Sequence, residues 1–268
     1  MVRLNGPINS SVNGKVCSEA IVISKLTRLF KTASEKTSDA DWAAYYKQQA
    51  QQCADTDLRR FYSAGLPDAD TPLNQLEFVA LDFETTGLNV RRNRIVSIGL
   101  VPFTLSRIRP AAGHYWLVDP SIALSKISVT IHRITDSEVA DAPPLDSVLP
   151  ELLQALAGKI VVVHYRQIER GFLDAAVMAL RGEHCLFPLI DTMAIEARWA
   201  RQGMLANMKR SLGLREDSIR LADSRLRYGL PDYSSHHAKV DAMATAELFL
   251  AQVARHYSED TRLGDLWL

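Results

Sequence analysis

The chain has 268 residues, enough for one domain of about 180–200 residues plus an extension. Lys and Arg together number 31, as do Asp and Glu, so the net charge is zero. This balance excludes the broad basic surface with which proteins bind long duplexes, and it favours short or local nucleic-acid contacts. Three scattered cysteines without a CxxC pair and no apolar run near 20 residues argue against a zinc site, a disulfide framework and a membrane span, and predict a cytoplasmic protein.

Residues 1–70 predict a flexible segment followed by a helical extension. Residues 1–16 are rich in Asn, Ser and Gly, and the pattern over 18–63 is helical. The stretch "GLPDADTPLNQ" at 65–75 is a turn-rich linker. The aromatic residues of the extension are Trp42, Tyr45 and Tyr46. They predict packing on the chain's own domain, with a protein partner or a homodimer through these helices as the alternative.

A mixed α/β domain is predicted over 77–257, followed by a short tail at 258–268. Three strands come first, "EFVALDFET", "RIVSIGLVPF" and "HYWLVD", and the Arg-rich turn "NVRRNR" joins the first two as a hairpin. A helix follows in "APPLDSVLPELLQALAG", and then a buried central strand in "KIVVVHY". Further helices are predicted in "QIERGFLDAAVMALRG", "DTMAIEARWARQ" and "HAKVDAMATAELFLAQVARHY". This order predicts a mixed sheet flanked by helices.

Two acids, Asp82 and Glu84, stand one residue apart in the first strand. Because side chains alternate along a strand, both point to the same face. Two carboxylates near a strand end suit Mg²⁺ or Mn²⁺, and the alternative is a pair of acids on the solvent face of an edge strand. The following "TTG" at 85–87 supplies hydroxyls and a flexible turn that a ligand can approach closely.

A histidine and an acid, His236 and Asp241, open the last predicted helix in "SSHHAKVDAMA". Five helical residues subtend roughly 140°, so the two side chains cannot share one face of a regular helix. They converge only if His236 lies in the loop or first turn and Asp241 lies inside the helix. The alternative is an exposed histidine near a helix start.

The stretch "VVVHYRQIERGFLDAA" places His164 at a strand end and Glu169 on the next helix. Strand ends in α/β sheets are where ligand sites collect, although a solvated helix acid is the alternative for Glu169. His164 is more typical of a core or supporting histidine than of a ligand. Asp191 in "LIDTMAI" is explained equally well as a helix cap.

Taken in order, these blocks resemble the three exonuclease motifs of the DnaQ-like family, in its DEDDh branch. The resemblance covers about 77–255 and rests on "DFETTG" at 82–87, the block around Glu169, and His236 with Asp241. It implies a ribonuclease H-like α/β fold. It also implies 3′→5′ removal of nucleoside monophosphates with two divalent cations, Mg²⁺ or Mn²⁺.

The same resemblance implies roles for individual residues. The cation ligands would be Asp82, Glu84, Asp241 and Glu169. His236 would act as general base, because histidine exchanges protons near neutral pH. The implied substrate contacts are Phe83, Thr85, Thr86, Gly87, Leu88 and His132.

The second motif departs from the family pattern, which usually reads His-Asn with Phe-Asp following. Here Tyr165 replaces the Asn, and Glu169 replaces the Asp. The extra methylene of Glu169 lengthens the side chain by roughly 1.5 Å, which matters because Mg²⁺ demands near-ideal coordination geometry. Arg133 replaces the glycine of a His-Gly-Ile segment.

We expect single-stranded DNA or other 3′ ends as substrate. The alternatives are RNA, as in oligoribonuclease relatives, and a catalytically weakened module that binds nucleic-acid ends or a partner.

A link to DNA replication or repair follows from the same resemblance. Proofreading members of the family carry polymerase-binding tails after the exonuclease domain. Because this chain ends soon after its last predicted helix, we expect a stand-alone or differently partnered exonuclease.

Overall fold

A computed structural model of the chain describes residues 41–122, 134–202, 217–233 and 236–268. The strands are β1 (Phe78–Thr85), β2 (Ile95–Thr104), β3 (Arg107–Ile108), β4 (His114–Leu117), β5 (Ile160–Val163) and β6 (Leu189–Asp191). The helices are α1 (Trp42–Gln52), α2 (Thr56–Ser63), α3 (Asp136–Ala140), α4 (Leu145–Leu156), α5 (Arg166–Arg181), α6 (Thr192–Gln202), α7 (Leu221–Arg227) and α8 (Ala238–His256). None of the helices in these ranges is both long and apolar enough to cross a bilayer.

The six strands form one mixed sheet in the order β3-β2-β1-β5-β6, with β4 also pairing with β2. β1 pairs antiparallel with β2, and β5 pairs parallel with both β1 and β6. The predicted mixed α/β class and the hairpin of the first two strands are confirmed. The short elements β3, β6, α3 and α7 were not predicted, because each is too brief to show a hydrophobic period.

Alternation along β1 divides the core into two layers. Val79, Leu81 and Phe83 face one cluster, which includes apolar side chains of α4 and α5. Phe78 and Ala80 face the opposite cluster, which is covered by α8. Asp82 and Glu84 continue the second series toward the end of the strand, and are therefore carried to the α8 side of the sheet.

The helices α1 and α2 pack on the same core layer as α4 and α5. Tyr46, Leu58, Phe61 and Tyr62 are all buried in that cluster. The hydroxyl of Tyr62 accepts a hydrogen bond from the backbone N–H of Leu186 at 3.0 Å. Of the two alternatives for the aromatic extension, the structure therefore shows packing within the chain.

The predicted helical pattern over 18–63 appears as two helices in the described residues. Asp41 and Asp55 cap two separate helices, which are divided at Cys53. Asp55 accepts hydrogen bonds from the N–H groups of Asp57 and Leu58, which satisfies the first turn of α2. The part of the prediction before residue 41 lies outside the described residues.

Candidate active site

The end of β1 brings Asp82 and Glu84 to one face of the sheet. Asp82 lies opposite Gly99 of β2, and Glu84 lies opposite Ser97. Glu84 is buried, whereas Asp82 is partly exposed. The register of the two strands shifts between Glu84 and Thr85, and such irregularities end pairing and re-aim side chains next to sites.

Gly99 allows the start of α8 to lie directly on the sheet beside Asp82. A β-carbon at Gly99 would collide with the carbonyl group of Ala238 and with the backbone nitrogen of Lys239. These neighbours are backbone atoms and cannot turn aside. The absence of a side chain at Gly99 therefore decides how close α8 comes to the acids of β1.

His236 and Asp241 converge at the start of α8 as the sequence required. His236 precedes the helix with a left-handed backbone angle φ of 74°, and His237 caps the helix. The backbone N–H of His236 donates to Oδ2 of Asp241 at 2.7 Å. Burial raises the pKa of Asp241, this hydrogen bond lowers it, and the carboxylate of Glu84 raises it.

Three side chains form a compact group of potential ligands. Glu84, His236 and Asp241 each offer one atom, and these atoms all lie within 4.8 Å of one another. Asp82 is not in that group, but its carboxylate interacts with the charges of Glu84 and Asp241. Burial raises the pKa of Asp82 well above its usual range, and the carboxylates of Glu169, Glu84 and Asp241 raise it further.

Glu169 lies in the first turn of α5 and is 2% exposed, so it is not a solvated helix acid. Burial raises its pKa well above the usual range, as do the carboxylates of Asp191 and Glu84. A hydrogen bond from the N–H of Phe83 opposes this rise. Its Oε2 atom is buried without a hydrogen-bond partner in the described part of the chain. The extra methylene of the glutamate thus brings a buried carboxylate to the edge of β1.

The turn after β1 uses its own hydroxyl groups. Oγ1 of Thr85 donates to the carbonyl of Gly87 at 2.9 Å, and Oγ1 of Thr86 accepts from the N–H of Arg94 at 3.0 Å. Both threonines are buried. Leu88 at the tip is 48% exposed and is available to a ligand.

Phe83 and His132 are two of the expected substrate contacts. The ring of Phe83 is buried in the core layer on the far side of the sheet from the acids. Alternation in β1 is the reason, because Phe83 lies between Asp82 and Glu84. His132 and Arg133 lie outside the described residues.

Asp191 supports two helices at once. Its carboxylate accepts hydrogen bonds from the N–H groups of Tyr165 and Arg166 at the start of α5, and from those of Met193 and Ala194 in α6. The capping interpretation of Asp191 therefore agrees with the geometry. The same carboxylate holds the first turn of α5, which carries Glu169.

His164 is held between the first residue of α6 and the segment ahead of α7. Burial lowers its pKa to about 4, so the ring is neutral. Nε2 lies 3.0 Å from the carbonyl of Ile219 and therefore donates to it, while Nδ1 lies 2.8 Å from the hydroxyl of Thr192. Both ring nitrogens are engaged, which matches the expected supporting role.

Sequence reasoning missed Tyr115 of β4. It lies opposite Gly99, in line with Asp82 across the sheet, and its ring stacks on that of His237 at 4.5 Å between centroids. Burial raises the pKa of its hydroxyl, and the nearby carboxylate of Glu84 raises it further. Tyr115 is brought to this position by the pairing of β4 with β2, and the register of that pairing cannot be predicted from the sequence.

The sequence profile of the RNase_T exonuclease family matches residues 79–249, a span that contains all of these acids and His236. The chain belongs to this exonuclease family. It is 27% identical over 183 residues to the DNA polymerase III subunit epsilon of Treponema pallidum, an alignment that covers 68% of this chain and 79% of that protein. It is 32% identical over 181 residues to the PolC-type DNA polymerase III of Thermotoga maritima. That alignment covers 68% of this chain and only 12% of the polymerase.

Solved exonuclease structures share the fold. Cell-death related nuclease 4 (CRN-4) superposes with a TM-score of 0.55 at 19% identity, over 69% of this chain and 65% of that one. The nuclease domain of 3′hExo, a DEDDh family member bound to rAMP, superposes with a TM-score of 0.54 at 15% identity. That match covers 71% of this chain and 96% of the other. The expected ribonuclease H-like fold is therefore confirmed.

The side chains of this exonuclease site fit divalent cations, on which the family depends. Several carboxylates crowd into a small volume, and their repulsion raises the pKa of Asp82. Glu169 contributes a buried oxygen without a partner among the described residues. Carboxylate oxygens with one imidazole are ligands suited to Mg²⁺ or Mn²⁺. Bound cations would neutralise the charge of the crowded carboxylates.

Proposed function

We propose that this chain is a metal-dependent 3′→5′ exonuclease that releases nucleoside monophosphates from single-stranded DNA. One observation carries the proposal: Glu84, His236 and Asp241 converge within 4.8 Å beside the carboxylates of Asp82 and of the buried Glu169, in a chain of the exonuclease family. The names of the relatives, which are DNA polymerase III subunits, support DNA as the substrate and replication or repair in the cytoplasm as the setting.

The carboxylates would hold the cations. We assign Asp82, Glu84 and Asp241 as direct ligands and Glu169 as the fourth acid. Two divalent cations bound there would acidify water and stabilise charge on the scissile phosphate. The hydrogen bond from the N–H of His236 keeps one oxygen of Asp241 oriented. The N–H of Phe83 does the same for Glu169.

His236 would remove the proton from the attacking water. Its side chain is exposed, so the ring can reach a bound substrate, while its backbone is fixed by Asp241. Attack on phosphorus breaks the bond to the 3′ oxygen of the preceding nucleotide, and the terminal nucleotide leaves with a 5′-phosphate. A ring at the mouth of the site, next to the carboxylates, is well placed for this proton transfer.

Substrate binding would rest on few contacts. Leu88 is exposed at the tip of the turn after β1, where it can pack against the terminal base. The zero net charge suits recognition of an end, because the cations would supply most of the phosphate binding. We propose RNA ends as a second substrate to be compared directly. A polymerase is the partner that the relatives' names support.

A catalytically weakened module that binds nucleic-acid ends is the second candidate. One observation favours it. Tyr165, at the position of the family's Asn, has a left-handed φ of 93°, a conformation that Asn tolerates far better than Tyr. Backbone strain at Tyr165 lies four residues before Glu169, so it could misplace this acid and lower the rate of hydrolysis.

The test is digestion of single-stranded DNA labelled separately at each end, with Mn²⁺ or Mg²⁺. A 3′→5′ exonuclease releases the 3′ label first as a mononucleotide and leaves the 5′ label on a ladder of shortening products. Chelation and Asp82→Ala should each lower release at least 100-fold, whereas Asp70→Ala, which changes an exposed acid paired with Arg262, should not. Binding of the strand without release of either label would favour the second candidate. A matched RNA strand compares the two substrates.

A further inference from the structure

The short helix α7 carries a buried arginine that ties the chain ahead of His236 to α8. Arg225 is 4% exposed and donates to Oε2 of Glu247 at 2.7 Å and to the carbonyl of Ala244 at 2.7 Å, both on α8. It also donates to the carbonyl of Pro231 at 2.8 Å. One planar guanidinium thus joins three segments through donors held in a fixed fork, a geometry that a lysine ammonium lacks.

Tyr233 completes this cluster. Its hydroxyl donates to Oε1 of Glu247 at 2.8 Å, so the glutamate is engaged through both oxygens. The guanidinium of Arg225 lies 4.6 Å from the centre of the Tyr233 ring. Only two residues separate Tyr233 from His236, so the histidine can move no more than about 10 Å from this anchor.

His236 has a second anchor on the same helix. Its N–H donates to Asp241, and its backbone adopts a left-handed conformation that is uncommon for residues other than glycine. A conformation of this kind persists where the surroundings hold it. Tyr233 is therefore tied to α8 directly, Pro231 is tied to it through Arg225, and His236 is tied to it by its own N–H.

We propose that Arg225, Glu247 and Tyr233 are positioning residues that fasten the segment carrying His236 to α8. The catalytic consequence rests on the proposed function, in which His236 is the general base. Their contacts are with one another, with Ala244 and with Pro231, so they act through the histidine. Weakening the cluster should therefore lower the rate of the chemical step more than substrate binding.

The same helix offers a matched control. Arg227 donates to Oε2 of Glu196 at 2.6 Å, and the hydroxyl of Tyr228 donates to Oε1 of the same glutamate at 2.7 Å. These groups match those of the first cluster, but they tie α7 to α6, and the Tyr228 hydroxyl also lies 2.9 Å from Nε2 of His256, at the opposite end of α8 from His236. Tyr228→Phe therefore removes an equivalent hydroxyl at a greater distance along the chain from His236.

Tyr233→Phe is the informative variant, because Arg225→Ala would leave Glu247 without its cation and endanger folding. In the full chain, hydrogen exchange should show that Tyr233→Phe speeds exchange of the His236 amide about tenfold, while Tyr228→Phe changes it less than twofold. With 3′-labelled single-stranded DNA and saturating Mn²⁺, Tyr233→Phe should lower kcat about tenfold and change KM less than twofold.

A double variant separates positioning from general damage. In a His236→Ala background, Tyr233→Phe should lower the residual rate less than twofold, because the histidine it positions is gone. An equal tenfold loss in that background would overturn the proposal, as would faster amide exchange with unchanged kcat. If the unmodified chain released no nucleotide, the proposed function would fail, and the exchange measurement alone would still decide whether Tyr233 fastens the segment.

Discussion

The backbone of Ala238 lies directly on Gly99, at the point where the first turn of α8 meets the sheet. Gly99 is the partner of Asp82 in the adjacent strand, so this contact sets the distance between the acids of β1 and those of α8. Two of the elements that carry the site, β1 and α8, are thus brought together beside Gly99, which has no side chain.

Gly99→Ala should displace the start of α8. Overpacking of this kind costs about 1–3 kcal/mol, and the shift would separate His236 and Asp241 from Asp82, so nuclease activity should fall at least 100-fold. Thermal unfolding and nucleotide release measure the two effects. Gly171→Ala is the control. Gly171 lies inside α5, and a β-carbon there would be 3.5 Å from Cγ1 of Val90, an ordinary van der Waals contact. It should raise stability by up to about 1 kcal/mol; a larger loss from Gly171→Ala than from Gly99→Ala would contradict this account.

Asp82→Asn should stabilise the metal-free chain while removing its response to metal. The pKa of Asp82 is raised by burial and by three neighbouring carboxylates, so an uncharged isostere relieves repulsion. We expect a gain of roughly 1 kcal/mol, or about 2–4 °C in Tm, in chelator. Mn²⁺ should raise the Tm of the unmodified chain but not that of the variant. A fall in the chelator Tm on substitution would argue that Asp82 is already neutralised by another group.

Glu169→Asp should lower activity, although aspartate is the usual family residue. The glutamate carboxylate accepts the N–H of Phe83, and shortening the side chain withdraws it from β1. We expect a loss of about tenfold in kcat, and a larger loss for Glu169→Gln, which keeps the length but not the charge. Steady-state rates over a range of Mn²⁺ concentrations distinguish weaker metal binding from slower chemistry. A faster Asp variant would show that the longer side chain is a handicap.

His164 should make the chain less stable in acid. Its pKa is lowered by burial to about 4, whereas an exposed histidine titrates near 6.5, so the unfolded chain binds more protons between these values. Stability is therefore fully present above about pH 6.5 and falls as the pH drops toward 4, by about 2–3 kcal/mol. Urea unfolding at pH 7 and pH 4.5 measures the change. His164→Gln should show a smaller dependence, and equal slopes for the two proteins would refute the assignment.

Leu88→Ala should weaken substrate binding without affecting the fold. The side chain is 48% exposed, so its loss costs little stability. If it packs against the terminal base, KM should rise about three- to tenfold with little change in kcat. Leu226→Ala, at a side chain that is 76% exposed in α7, is the control for loss of an exposed leucine. Equal kinetics for both variants would remove Leu88 from the substrate contacts.

The sequence by itself determined the features that depend on local periodicity. The spacing of Asp82 and Glu84 put both on one face of the first strand. The five-residue spacing of His236 and Asp241 required a histidine ahead of the helix, where the structure places it. Each of these inferences needs only neighbouring residues and the geometry of one element.

Tertiary structure alone decided which distant groups meet. The partner of Glu169 is a backbone N–H of β1, and Tyr115 reaches His237 only because β4 pairs with β2. Phe83 stood in the motif beside the acids, yet its ring belongs to the opposite core layer. Strand register and helix docking depend on steric fit between segments far apart in the chain, such as Gly99 under Ala238, and no local pattern records that fit.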